Sequence, residues 1–124
     1  METRTITINN TIFTLHKMDA IEQLGVGSKL LPMFHKLTTI FKQNKEDENI
    51  ESMVDSVIEA LQESNIEDLQ FIMKSFLKKT YLNNICVMEK DKIIQPELVP
   101  LDVALKLMKE HFILNFESYL KYLQ

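Results

Sequence analysis

The chain has 124 residues, 45% of them hydrophobic and 26% charged, with a formal net charge of −4. That length and balance suit a single domain, 1–124, built around one core. They exclude several classes at once. No stretch approaches the roughly 20 apolar residues of a membrane span. The opening METRTITI has no apolar signal core, and Cys86, the one cysteine, cannot close an internal disulfide. Cytoplasmic residence is therefore the expectation. Lysines are scattered while acids are concentrated, the reverse of the basic stripe a nucleic-acid reader carries. Two glycines cannot supply a Gly-rich phosphate loop.

In chain order, residues 1–16 alternate with period two, and Asn9-Asn10 stands between Thr5-Ile6-Thr7-Ile8 and Thr11-Ile12-Phe13-Thr14-Leu15. Asparagine tolerates positive φ, so this is a two-residue hairpin with Ile6 opposite Phe13 and Ile8 opposite Thr11. Ile6, Ile8, Phe13 and Leu15 share one face, and Thr5, Thr7, Thr14 and Ile12 the other. A two-stranded hairpin is marginal alone and must pack on the rest of the chain or pair with a partner strand. Asp19 and Glu22 have capping-box spacing, so a helix over 19–42 follows, with Ile21, Leu24, Leu31, Phe34, Leu37, Thr38 and Phe41 as its apolar face. Pro32 should kink or split it. Residues 43–49 are polar and read as a loop.

Ile50, Met53, Val54, Val57, Ile58 and Leu61 then give a helical stripe over 50–63. Asn65, with Asp68 three residues on, caps a second helix over 66–80. The short connection predicts antiparallel neighbours. Residues 83–100 are irregular; Glu89-Lys90-Asp91 between apolar runs offers a second short hairpin near 85–95. A last helix, 101–123, presents Leu101, Ala104, Leu105, Met108, Phe112, Phe116, Tyr119, Leu120 and Leu123. The fold class is α+β, mostly α: an N-terminal hairpin packed on a bundle of four or five helices.

The residues of chemistry are sparse. His16, His35 and His111 lie on different elements without the i, i+4 spacing of a helical zinc site. Cys86 within Ile85-Cys86-Val87-Met88 reads as a small buried hydrophobe. With no nucleophile elbow, phosphate loop or paired-carboxylate motif, the reading is a binding domain and not an enzyme, needing no metal or organic cofactor. Glu51, Asp55, Glu59 and Glu63 recur at i, i+4. Like charges at that spacing cost a helix a few tenths of a kcal/mol each. The stripe is either a solvated face or a docking surface for a basic partner. The methionines, seven in all, suit core filling or an adaptable binding surface. On the last helix, Phe112 and Phe116 read as core and Tyr119 as a contact residue. Pro32 is the remaining candidate contact.

Three segments together resemble the tail assembly chaperones of long-tailed bacteriophages and prophages. They are the hairpin running into Lys29-Leu30-Leu31-Pro32-Met33-Phe34, the run Ile66-Glu67-Asp68-Leu69 after an acidic linker and helix, and Leu101 to Leu120 with its Asn115-Phe116 ending. The chain departs from the pattern in carrying Tyr119-Leu120 where a paired aromatic is common, and in lacking a tryptophan near Ile85. The resemblance implies a non-catalytic protein of the bacterial host cytoplasm, absent from the mature virion. It would coat the tape measure protein and help recruit tail tube subunits. The alternative reading is a structural head-tail connector or other small virion protein. Free edges on the hairpin also point to a homo-oligomer.

Overall fold

The computed structural model describes residues 2–43 and 50–123. The chain opens with the expected hairpin: β1 (Thr3–Ile8) pairs antiparallel with β2 (Thr11–His16), with Ile6 opposite Phe13 and Ile8 opposite Thr11. Asn9 and Asn10 take φ of 52° and 65°, both in the left-handed region that a tight hairpin turn demands.

The same device occurs again. Asn83 and Asn84 also take φ of 52° and 65° and turn β3 (Thr80–Leu82) into β4 (Ile85–Cys86). β3 pairs with β2, giving a four-stranded sheet in the order β1-β2-β3-β4. The second short hairpin follows as β5 (Met88–Glu89) and β6 (Lys92–Ile93). Its turn is Lys90-Asp91, one residue shorter than expected, because Glu89 belongs to the strand and pairs with Lys92.

The helices are α1 (Ala20–Gln43), α2 (Ile50–Ser64), α3 (Ile66–Leu77) and α4 (Leu101–Leu123). The capping box is reciprocal: Glu22 N–H donates to Asp19 Oδ1 at 2.8 Å and Asp19 N–H to Glu22 Oε1 at 3.2 Å. Asn65 alone links α2 to α3. Its Oδ1 accepts from Asp68 N–H, and its side-chain amide donates to Asp68 Oδ2 at 2.8 Å. α3 stops at Leu77, short of the expected Thr80, because Thr80 opens β3 opposite Leu15.

At Pro32, expected to kink or split it, α1 runs on as a single helix. The expected apolar face is not the buried one near the start of the helix. Its buried residues are Val26, Leu30 and Met33, while Ile21 and Leu24 are 81% and 72% exposed. At 100° per residue the two sets lie on opposite sides of the helix. α1 is apolar on both sides near its start, and periodicity alone cannot say which side is core. The side chains of Leu31, Pro32, Phe34, Leu37, Thr38 and Phe41 lie outside the described residues, as do those of His35 and the loop 44–49.

The core has two parts. Among the helices, Val26 and Leu30 of α1 meet Met53, Val57 and Leu61 of α2 and Ile72 and Phe76 of α3. Under the sheet, Phe13, Leu15, Leu77, Val87 and Val99 cluster. α4 serves both, giving Met108 and Phe112 to the first and Val103, Ala104, Leu107 and Leu114 to the second. Leu101, assigned to its apolar face by periodicity, is instead 67% exposed, since it sits in the first turn. Met18, Met33, Met53, Met88 and Met108 are all buried, so methionine here fills irregular gaps.

A helix buried on two sides also buries polar residues. His111 is wholly inaccessible, stacked on Phe76 at 5.1 Å, with its Nε2 2.7 Å from Thr80 Oγ1. Thr80 Oγ1 donates to the Phe76 carbonyl at 3.0 Å, so it accepts from His111 Nε2–H. That assigns the neutral tautomer with a bare Nδ1, which has no hydrogen-bond partner among the described residues. Burial first, and the charge of His16 second, hold the imidazole down to about 3. The folded value lies below the unfolded one near 6.5, so the unfolded chain takes the proton first. Stability from this site is complete above about pH 6.5 and is lost as pH falls toward 3. Between pH 7 and 5 the expected loss is about 2 kcal/mol, measured as the shift in urea unfolding midpoint. His111→Phe keeps the stack on Phe76, and its pH profile should be flatter over that window.

Candidate protein-binding surface

The acidic stripe is where the helical pattern puts it. Glu51, Asp55, Glu59 and Glu63 are exposed on α2, opposite the buried Met53, Val54, Val57, Ile58 and Leu61. It is not uniform. Asp55 is bridged by Lys109 of α4, with Oδ1 and Nζ 3.1 Å apart. Exposed pairs of this kind contribute about 0–1 kcal/mol, and among the described residues Glu51, Glu59 and Glu63 have no such ion pair.

The apolar feature lies elsewhere, where α1 starts beside the end of α4. A groove of about 300 Å³ is lined by Ala20, Gln23, Leu24, Gly27, Phe116 and Tyr119. Leu24 is open to solvent, Phe116 is half-buried, and Tyr119 is 46% exposed. Ile21, more exposed still, follows Ala20 on the same helix. Phe112, one turn before Phe116, is buried, with their rings 6.2 Å apart. The aromatic series on α4 thus passes from core at Phe112 to open surface at Tyr119.

Asn115 fixes this junction. Met18 N–H donates to its Oδ1 at 2.8 Å, the Gln23 side-chain amide donates to the same oxygen at 3.3 Å, and Asn115 Nδ2 donates to the His111 carbonyl at 2.9 Å. One side chain therefore ties the entry of α1 to α4 beneath the groove. Lys79 adds an ion pair to Glu22 at 3.0 Å.

The glycines of α1 stand out against this frame. Neither has positive φ, and a Cβ built on Gly25 or Gly27 meets nothing within 4 Å. Glycine inside a helix costs roughly 0.5–1 kcal/mol against alanine. Neither the backbone nor the internal packing of this chain calls for it at these positions, and Gly27 faces the groove.

Among the sequence candidates, Tyr119 is part of the groove, the four acids are on another helix, and the side chain of Pro32 lies outside the described residues. Ile21 and Leu24, which helical spacing places on the apolar face of α1, are surface. Gly27 is not among those candidates; two glycines, Gly25 and Gly27, inside one helix are the available signal. Elsewhere, Cys86 is half-buried with its thiol 3.4 Å from the Lys78 carbonyl, and His16 packs on Tyr81 at 4.4 Å. No cluster of three His, Cys, Asp or Glu side chains suited to a metal occurs among the described residues. Among them, too, no helix is long and apolar enough to cross a membrane.

A family model described as phage tail assembly chaperone protein, TAC, matches residues 9–122. No curated protein and no solved structure matches the chain.

Replacing Asn115 with alanine leaves the Met18 N–H buried without an acceptor, a loss expected to cost about 1–3 kcal/mol. Thermal unfolding measures that cost. Hydrogen exchange locates it, since the amide of Met18 should lose protection before those of the α2 core.

Proposed function

The chain belongs to the phage tail assembly chaperone family, and on that premise we propose that it acts by binding alone, holding an amphipathic helix of the tape measure protein in the groove between α1 and α4. The observation that carries this reading is the groove itself: an open apolar row, Ile21 and Leu24, beside Phe116 and Tyr119, over a floor that includes Ala20 and Gly27. Apolar side chains spaced i, i+3 and i+4 on a client helix fit such a trough. Absence of a side chain at Gly27 lets a client backbone come close, which accounts for a residue the free protein does not need.

The acidic stripe acts at longer range. Exposed carboxylates contribute little to residence time, but they steer a basic client to the surface and raise the encounter rate in a salt-dependent way. Buried aromatic and aliphatic contacts set the dissociation rate. While coated in this way, the client helix cannot aggregate. Delivery of tail tube subunits to the coated client, in the bacterial cytoplasm and without entry into the finished virion, completes the proposed role.

Gly27→Ala separates binding from folding. Because a Cβ there meets nothing, the variant should be more stable than the parent, by roughly 0.5–1 kcal/mol, while its affinity for the co-expressed tape measure protein falls. Calorimetric titration alongside thermal unfolding measures both. A variant that gains stability and keeps full affinity would place the client elsewhere. Leu24→Asp, at an exposed position, should also weaken binding and leave the thermal midpoint nearly unchanged.

A further inference from the structure

The outer edge of β1 is open and undefended. β1 ends the sheet order, with β2 on one side and, among the described residues, no strand on the other. Its pairing with β2 is continuous from Thr3 to Ile8, without a bulge. Natural edges are usually blunted by proline, lysine or a bulge. Here the sequence is Thr-Arg-Thr-Ile-Thr-Ile, and its one charge, Arg4, is tied to Glu110 of α4 at 3.3 Å.

The two-residue turn fixes which backbone groups are unused. Ile8 and Thr11 flank the turn as a bonded pair, so Ile6 and Arg4 also bond to β2. Lys17 N–H donating to the Glu2 carbonyl continues this phase. Thr3, Thr5 and Thr7 therefore present their N–H and C=O groups outward. The core also thins toward this edge: Phe13 and Leu15 are fully buried, whereas Ile6 and Arg4, their cross-strand partners, are only half-buried.

We propose that β1 pairs with β1 of a second copy of this chain, antiparallel and centred on Thr5, to form a continuous eight-stranded sheet across a two-fold axis. This inference is independent of the client groove. Three features select a second copy as the occupant. Centring on Thr5 sets Thr3 opposite Thr7, and Arg4 opposite Ile6, so threonine faces threonine on one surface and the half-buried row is extended on the other. Every outward threonine gains a bonded partner in that register. The cleft beside the edge, lined by Ile6, Ile8, Glu51, Lys106, Lys109 and Glu110, carries both signs. Lys109 and Glu110 are already paired within the chain, while Lys106 and Glu51 have no ion-pair partner among the described residues. A two-fold operator sets this patch against itself, so opposite charges can meet across the axis.

Because Thr5 would face itself, charge swapping tests the arrangement. Sedimentation of the full chain at high concentration should give twice the monomer mass. Thr5→Lys and Thr5→Glu should each sediment as monomers with unchanged circular dichroism, and an equimolar mixture should restore the doubled mass. Thr5→Pro, which removes only an outward N–H, should also be monomeric. A monomeric parent chain, a dimer that persists in Thr5→Lys and Thr5→Glu, or a mixture that stays monomeric overturns the proposal. Should a charge variant lose its helical spectrum, Thr5→Pro and Thr5→Val carry the test. The proline variant must be monomeric and the valine variant dimeric, and the reverse or equal behaviour overturns it.

Discussion

α4 contributes to the core beneath the sheet and to the core among the helices from Val103 to Leu114, whereas α3 reaches the sheet core only near its end, through Met73 and Leu77. An ordinary surface helix buries one stripe and keeps its polar residues on the other side. A helix enclosed on two sides has positions between its apolar faces that are also removed from water, and here these are His111 and Asn115. Each buried polar group must find a partner inside the protein or cost about 1–3 kcal/mol. Their partners define the assembly. His111 bonds Thr80, which opens the strand that joins the hairpin to the rest of the sheet. Asn115 bonds Met18 and Gln23, where the chain leaves the sheet for α1. Two polar side chains one turn apart therefore register the sheet, α3 and α1 against a single helix.

That registration explains why the groove between α1 and α4 is apolar and yet open. Asn115 holds the entry of α1 against α4 through polar bonds to Met18 and Gln23, and the Ile21 and Leu24 side faces outward. Val26 and Leu30 carry the burial further along the helix. A large exposed aliphatic side chain gains nothing in a free monomer. Burying one stabilises by about 1.5–3 kcal/mol, so two of them adjoining a concave groove mark where a partner would recover that energy. The capping box at Asp19 stabilises the first turn without help from tertiary packing at Ile21, which leaves the apolar side of that turn available.

How much of this was legible in the sequence follows from what local pattern can encode. The β1–β2 register, the cap at Asn65 and the α2 stripe are set by residues within a few positions of one another, and each was read correctly. β3 and β4 were missed although Asn83-Asn84 carries the same turn chemistry as Asn9-Asn10. The strands are so short that their alternation hardly emerges, and Thr80 continues the α3 pattern. The orientation of α1 could not be read, because both of its sides are apolar and the choice between them is made by Asn115, more than ninety residues away. For the same reason the groove was invisible apart from Tyr119: it is made by two ends of the chain. His111 and Asn115 interrupt the apolar pattern of α4, and only a second packing face turns such an interruption into a core position.

The two proposed surfaces use different stretches of α4. Lys106 to Glu110 flank the β1 edge, and Phe116 and Tyr119 flank the groove, so occupation of one does not consume the other. On these two proposals a dimer displays two grooves fixed by a shared sheet. A client that offers successive amphipathic segments then meets a second groove at an effective concentration set by geometry, and overall affinity rises without any new contact. Each groove can remain individually weak. Weak single contacts suit an assembly factor, because a tube subunit arriving on the client needs to displace only one groove at a time, while a long bare client stays covered by many.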